Sequence, residues 1–140
     1  MGSQTERHPP DSVIFDSDVL VWFSRCDADA VALVNSAPDR AVSIVTVMEV
    51  FQGVRSKAEM RTTKQFFLQL NFRILPLSES IGHIAASLIE EHALSCGLRI
   101  QDALIAATAR EAGETLATGN VRHFRVIANL DVKPFRRRSI

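Results

Sequence analysis

From Val13 onward, short apolar runs alternate with longer stretches of helical spacing, and few architectures accommodate that alternation other than a parallel sheet covered by helices. VIF (Val13 to Phe15) reads as a first buried strand and the β-branched run SIVTV (Ser43 to Val47) as a second. Between them DADAVALVNSA (Asp27 to Ala37) has helical spacing, with Pro38 directly after it. Strand, helix, strand in this order predicts a right-handed crossover. Past Gly53 a polar and charged segment leads into KQFFLQL (Lys64 to Leu70), read as helix, and then into RILPL (Arg73 to Leu77), a third strand that Pro76 marks as its end. Glu79 to Ser95 carries Ile81, Ile84, Ala85, Leu88 and Ile89 at amphipathic helical spacing, with Gly97 placed to stop it. DALIAATARE (Asp102 to Glu111) is the next helix, followed by Gly113, a fourth strand TLAT (Thr115 to Thr118) and a fifth near Leu130 to Val132. The fold class expected is α/β.

A chain of 140 residues with 46% hydrophobic content can close one sizeable core, so residues 11–140 are read as a single domain and the polar, proline-ended Met1 to Pro10 as a flexible tail. The 16 basic and 16 acidic residues cancel, which removes any strong positive field and leaves nucleic-acid contact to local patches. Cys26 and Cys96 lack the close spacing of a zinc site and are read as reduced thiols. No stretch reaches the roughly 18 apolar residues of a membrane span, and no charged-then-apolar leader opens the chain, so a soluble cytoplasmic protein is expected.

Ligands of a doubly wound sheet bind where the strands end and the crossover helices begin. Asp16 follows strand one, Glu49 lies in the first turn after strand two, Asp102 opens the helix that leads back to strand four, and Asn120 lies just beyond it. All four are expected at one edge. Each also has an ordinary structural role open to it, because helix dipoles favour acids in the first turn and Asp16 can serve as a cap. Asp102, however, continues an apolar stripe with Ile105, Ala106 and Ala109, where a lone buried charge is costly. For Glu49, a core stripe of Val47, Val50, Phe51 and Val54 turns the carboxylate toward the open mouth. Converging carboxylates repel unless a cation joins them. With no close cysteine pair, and with His83 and His92 too far apart to pair on a helix, oxygen donors point to magnesium or manganese and to phosphodiester hydrolysis.

In order and context these residues resemble the PIN-domain family, and within it the VapC toxins of bacterial toxin-antitoxin pairs. VIFDSDVLVWF (Val13 to Phe23) is similar to the opening strand with its first metal-binding aspartate, Asp16. SIVTVMEVFQG (Ser43 to Gly53) is similar to the second block, with Thr46 and Glu49; RIQDALIAATARE (Arg99 to Glu111), with Asp102, and TLATGNVRHF (Thr115 to Phe124), with Thr118 and Asn120, resemble the last two. Many family members carry an aspartate near the position of Asn120, so the amide puts a second full metal site in question. The resemblance implies a three-layer α/β/α domain with a five-stranded parallel sheet, metal-dependent endoribonuclease activity with magnesium or manganese, homodimerisation, and inhibition by a cognate VapB-type antitoxin. Trp22, Phe23, Phe66 and Phe67 are candidates for a dimer or antitoxin surface as well as for the core. Arg99, Arg122 and Arg125 border the acidic blocks and can grip RNA phosphates or stay solvated, while Arg136 to Arg138 can attract RNA loosely or serve as a solubilising run.

Two other readings compete. VIFDSDV also resembles the opening of haloacid-dehalogenase-type phosphatases, with Asp16 as nucleophile and Asp18 as acid/base, but the lysine and paired acids that chemistry needs are missing around TLATGN. A receiver domain would need an aspartate after RILPL, and none is there. The non-enzymatic alternative is a PIN-like binding module without catalysis, which the retention of three carboxylates disfavours.

Overall fold

The structure is a computed structural model that describes residues 12–138; the segment read as a tail, Met1 to Pro10, lies outside them. In chain order the elements are β1 (Ser12–Phe15), α1 (Ser17–Ser24), α2 (Ala28–Ser36), β2 (Asp39–Ser43), α3 (Ile44–Gln52), α4 (Lys57–Gln69), β3 (Arg73–Leu75), α5 (Glu79–Cys96), α6 (Ile100–Ala112), β4 (Thr115–Thr118), α7 (Val121–Phe124) and β5 (Val132–Pro134). The five strands form one sheet in the order β3-β2-β1-β4-β5, and every neighbouring pair is parallel. Strand order reverses between β1 and β4, where the two halves diverge and leave a crevice at the carboxyl edge.

Side chains alternate across a strand, and the two faces fill separate cores. Ile14, Ala41 and Leu116 pack against α5 and α6 through Leu88, Ile105 and Ala106. Val13, Phe15, Val42 and Ala117 face α1, α2 and α4 through Val19, Val34 and Phe67. Helices on both faces make the domain a three-layer α/β/α sandwich, as expected. Phe15, Ile14 and Leu116 are completely buried, each contributing about 1.5–3 kcal/mol of hydrophobic stabilisation. Phe67 meets Phe66 and Phe72 edgewise at centroid separations of 5.1 and 5.6 Å, and Phe66 and Phe72 are tilted against each other at 5.8 Å, so these phenylalanines belong mainly to the core.

The strand expected over Ser43 to Val47 is instead a boundary: β2 is Asp39–Ser43, and Ile44 begins α3. Ser43 explains the switch, because its hydroxyl accepts from the Val45 amide and caps the helix. Val45 then enters one core and Val47 the other, so the β-branched run is used for packing rather than for pairing. Glu49 therefore lies in the second turn of α3, not in the first turn after a strand. Helix α4 begins earlier than its apolar part, at Lys57, since Ser56 accepts from the Glu59 amide and Glu59 reaches back to the Arg55 amide. Strand β3 ends at Leu75, just before Pro76, and β5 covers Val132–Pro134 rather than Leu130 to Val132. Gly97 and Gly113 end α5 and α6 at φ of 70° and 69°. Among the described residues, no helix is long and apolar enough to cross a membrane.

The arginine run is not uniformly solvated. Arg137 places its guanidinium 3.4 Å from the Trp22 ring centroid and donates to Asp27 Oδ1 at 3.0 Å, while the Arg138 amide donates to Asp29. Asp27 meanwhile caps α2 by accepting from the Ala30 amide. The segment after β5 is thereby strapped across α1 and α2. Arg137→Ala, which removes both the stacked cation and the charge-assisted hydrogen bond, is expected to destabilise the domain by about 1–3 kcal/mol in a urea titration. A midpoint unchanged from wild type would show that the strap carries no stability.

Candidate active site

The sheet register builds the site. Phe15 pairs with Ala117, so the residues that follow them emerge side by side: the Asp16 amide donates to the Ala117 carbonyl at 2.9 Å, and the Thr118 hydroxyl donates to Asp16 Oδ2 at 2.8 Å. Asp16 Oδ1 caps α1 by accepting from the Ser17 amide at 2.8 Å. Thr118, fully buried, is a relay whose oxygen also accepts from the Asn120 amide at 2.9 Å. Both oxygens of Asp16 are thus oriented while the carboxylate stays only 7% exposed.

The remaining acids arrive on helices that start at the same edge. Asp102 is in the first turn of α6, with a side chain 14% exposed, and its Oδ2 is 3.5 Å from His123 Nδ1. Glu49 is half-buried on α3; its Oε1 has no hydrogen-bond partner, and neither has the hydroxyl of fully buried Thr46 one turn earlier. A groove of about 560 Å³, lined by Val45, Met48, Glu49, Phe51, Gln52 and Gln101, opens beside Glu49. Asp18 approaches the same edge, its Oδ2 accepting from the Gly119 amide and its Oδ1 from the Val19 amide, both at 2.8 Å. A Cβ at Gly119 would lie 2.5 Å from Asp18 Oδ2, so only glycine lets this turn close against the aspartate.

Crowding and burial mark the electrostatics. Asp16 is pushed up from 3.8 to about 7, first by desolvation and then by the neighbouring Asp18 charge, against the lowering effect of its bonds to Thr118 and Ser17; Asp102 adds a further upward push. Burial likewise raises Asp18. Glu49 is raised by burial, with the Ser17 hydroxyl pulling it down, Asp102 pushing it up and Arg99 pulling it down. The acids thus sense one another, and a shared cation would relieve the tension. The orphaned Glu49 Oε1 and the all-oxygen acid set fit such a cation, although among the described residues no three acids, histidines or cysteines are already drawn into metal-holding geometry.

Asp16 and Glu49 each feel the Asp102 charge, Asp16 is bonded to the Thr118 hydroxyl, and Asn120 joins through its backbone amide. Arg99, exposed at the start of α6, is close enough to act on Glu49, whereas Arg122 and Arg125 are exposed on and after α7. His83 and His92 pair with Glu79 and Glu91 on α5 at 3.7 Å. Sequence reasoning overlooked His123, three residues after Asn120, which reaches both the Asn120 side chain at 3.0 Å and Asp102. It gave Asp18 a role only in the phosphatase reading and left Gly119 without one. The i, i+3 spacing in NVRH was the available signal, but α7 is too short for periodicity to announce it.

Known proteins resemble this chain over most of its length. The family model described as "PIN domain" matches residues 13–130, and the chain belongs to the PIN-domain family. It is 34% identical over 122 residues to Ribonuclease VapC10 of Mycobacterium tuberculosis, covering 84% of this chain and 90% of that protein. Among solved structures, a toxin-antitoxin complex from Klebsiella pneumoniae matches with a TM-score of 0.75 and 26% identity, over 89% of this chain and 98% of the other. FitAcB from Neisseria gonorrhoeae matches at 0.71 and 26%, over 91% and 99%. The phosphatase alternative falls with the family match, which spans residues 13–130.

The raised Asp16 pKa carries a signed prediction. Its proton is held more tightly in the folded than in the unfolded state, so this contribution to stability is full below about 4 and is lost as pH rises to about 7. In chelator-treated protein the melting temperature should fall across that window, and Asp16→Asn should fall less steeply. Identical slopes for both proteins would remove Asp16 as the proton-binding group.

Proposed function

We propose that the protein is a metal-dependent endoribonuclease and the toxin of a type II toxin-antitoxin pair. The observation that carries this reading is the meeting of Asp16, Glu49 and Asp102 at the carboxyl edge of a PIN-domain sheet, with Asp16 buried, oriented and held near a pKa of about 7. Relatives add weight: one is a named ribonuclease, and a structural neighbour is a toxin-antitoxin complex.

Asp16, Glu49 and Asp102 would hold Mg2+ or Mn2+, the hard ions that oxygen donors select. When bound, the ion supplies the positive charge that activates water and offsets charge building on the scissile phosphate. The protein's own contribution is positioning. The Ser17 amide and Thr118 hydroxyl fix both Asp16 oxygens, while Thr118 ties the Asn120 turn to the same point. Asn120 would orient substrate or water, with Thr46 and Thr118 in support. Arg99, Arg122 and Arg125 offer guanidinium forks to RNA phosphates around the acids, which suits a chain without net charge, since attraction is confined to the rim.

The cognate partner is a VapB-type antitoxin, and the active form is a homodimer. An apolar groove of about 390 Å³ with Phe51, Phe67, Leu68, Phe72 and Ile74 in its wall gives an antitoxin segment a surface to cover. The free thiols Cys26 and Cys96 suit the cytoplasm, where such RNA targets are found.

The test is cleavage of end-labelled cellular RNA by metal-stripped protein with and without Mg2+ or Mn2+. Cutting at discrete sites is expected only with metal, and Asp16→Asn or Asp102→Asn should lower it by at least about a hundredfold while leaving the fold intact. Full activity in either folded variant would overturn the site. No cutting by folded wild type with any metal would favour a binding module that has kept the fold without the chemistry.

A further inference from the structure

We propose that the segment after β5 is a rail for the RNA backbone: Arg136 and Arg138, with Lys133 beside them, bind phosphates of the strand that leaves the acids. The inference rests on the ribonuclease reading and adds to it a surface separate from the acids and the arginines at their rim. Position comes first. The Phe135 amide donates to the Thr118 carbonyl at 2.9 Å, and the Phe135 carbonyl oxygen lies 3.4 Å from where a Cβ on Gly119 would be. The segment therefore starts against the turn that carries Asn120, then crosses Trp22 of α1 to reach Asp27 and Asp29 at the start of α2.

Burial alternates along it as along an extended chain. Phe135 is buried and Arg137 is held by Trp22 and Asp27, whereas Arg136 and Arg138 are exposed. The inward residues anchor the segment and the outward ones are left for a ligand. Asp27 is matched by Arg137, and among the described residues no acid forms an ion pair with Lys133, Arg136 or Arg138. A cleft of about 510 Å³ between the segment and α2 has these three cations and a single acid, Asp29, in its wall. In a chain without net charge, such a local surplus is what a polyanion meets. Guanidinium groups on a pinned backbone lose less freedom on binding than those of a loose tail, and they match phosphate oxygens as forks. Contacts of this kind carry no sequence information; they fix where the strand lies relative to the acids.

The test is steady-state cleavage of a labelled single-stranded RNA with Mg2+ over a series of potassium chloride concentrations. Each phosphate contact on a single strand contributes about 0.7 to the slope of log affinity against log salt. Arg136→Gln and Arg138→Gln should each raise KM by about threefold or more at low salt and flatten its salt dependence by about that slope. Arg61→Gln, which removes an exposed charge from α4, should keep the slope of wild type. Equal flattening in all three variants, or none in Arg136→Gln and Arg138→Gln, overturns the rail and assigns the surplus charge to the general field or to an acidic protein segment. Wild-type cutting recorded in the same assay then leaves the ribonuclease reading standing. If folded wild type cuts no RNA with any divalent metal, both fall together.

Discussion

Parallel pairing of β1 with β4 is the constraint on which the rest depends, because it forces Asp16 and Thr118 to leave the sheet together. Every other member of the site is placed relative to that pair. The Thr118 oxygen draws in the Asn120 turn, the Asp16 carboxylate caps α1, and Asp18 on that helix meets Gly119 from the other side. A short stretch of backbone hydrogen bonding thus fixes a group of charges that would otherwise disperse. The cost appears in the raised pKa values of Asp16, Asp18 and Glu49, all caused first by burial. An acid cluster that resists being charged is poorly matched to water and well matched to a cation.

How the fold was legible follows from burial. VIF and TLAT are strands in the middle of the sheet, covered on both faces, and such strands write themselves as short uninterrupted apolar runs. The Asp102 helix was equally clear, since Ala103 and Ile105 to Ala109 are buried beneath α5. SIVTV misled because β-branched residues suit strands, yet position overruled propensity once Ser43 capped a helix at the sheet edge. Helix α1 was not read at all: SDVLVWFS is apolar on nearly every side, and its role as the first helix rests on the Asp16 cap. The onset of α4 could have been found from Ser56 and Glu59, a capping pair visible in sequence.

For the site, Asp16 and Asp102 were legible because they occupy element boundaries, whereas Glu49 lies within the second turn of α3. What the sequence withheld was their relation to groups brought near only by folding. His123 looked unremarkable beside Asn120 until α7 was laid against α6, and Asp18 could be separated from Asp16 only by seeing its bonds to Gly119 and Val19. The arginine run likewise read as a charged tail, although Arg137 is stacked on Trp22.

The Thr118 to Asp16 hydrogen bond spans 102 positions of chain, so it ties together segments from opposite ends of the domain. Such distant pairings are slow to form and dominate the folding barrier in parallel sheets. A nascent chain that has not yet reached β4 lacks Thr118 and cannot hold Asp16 in this way. Destructive capacity is therefore a property of the completed topology rather than of any one segment.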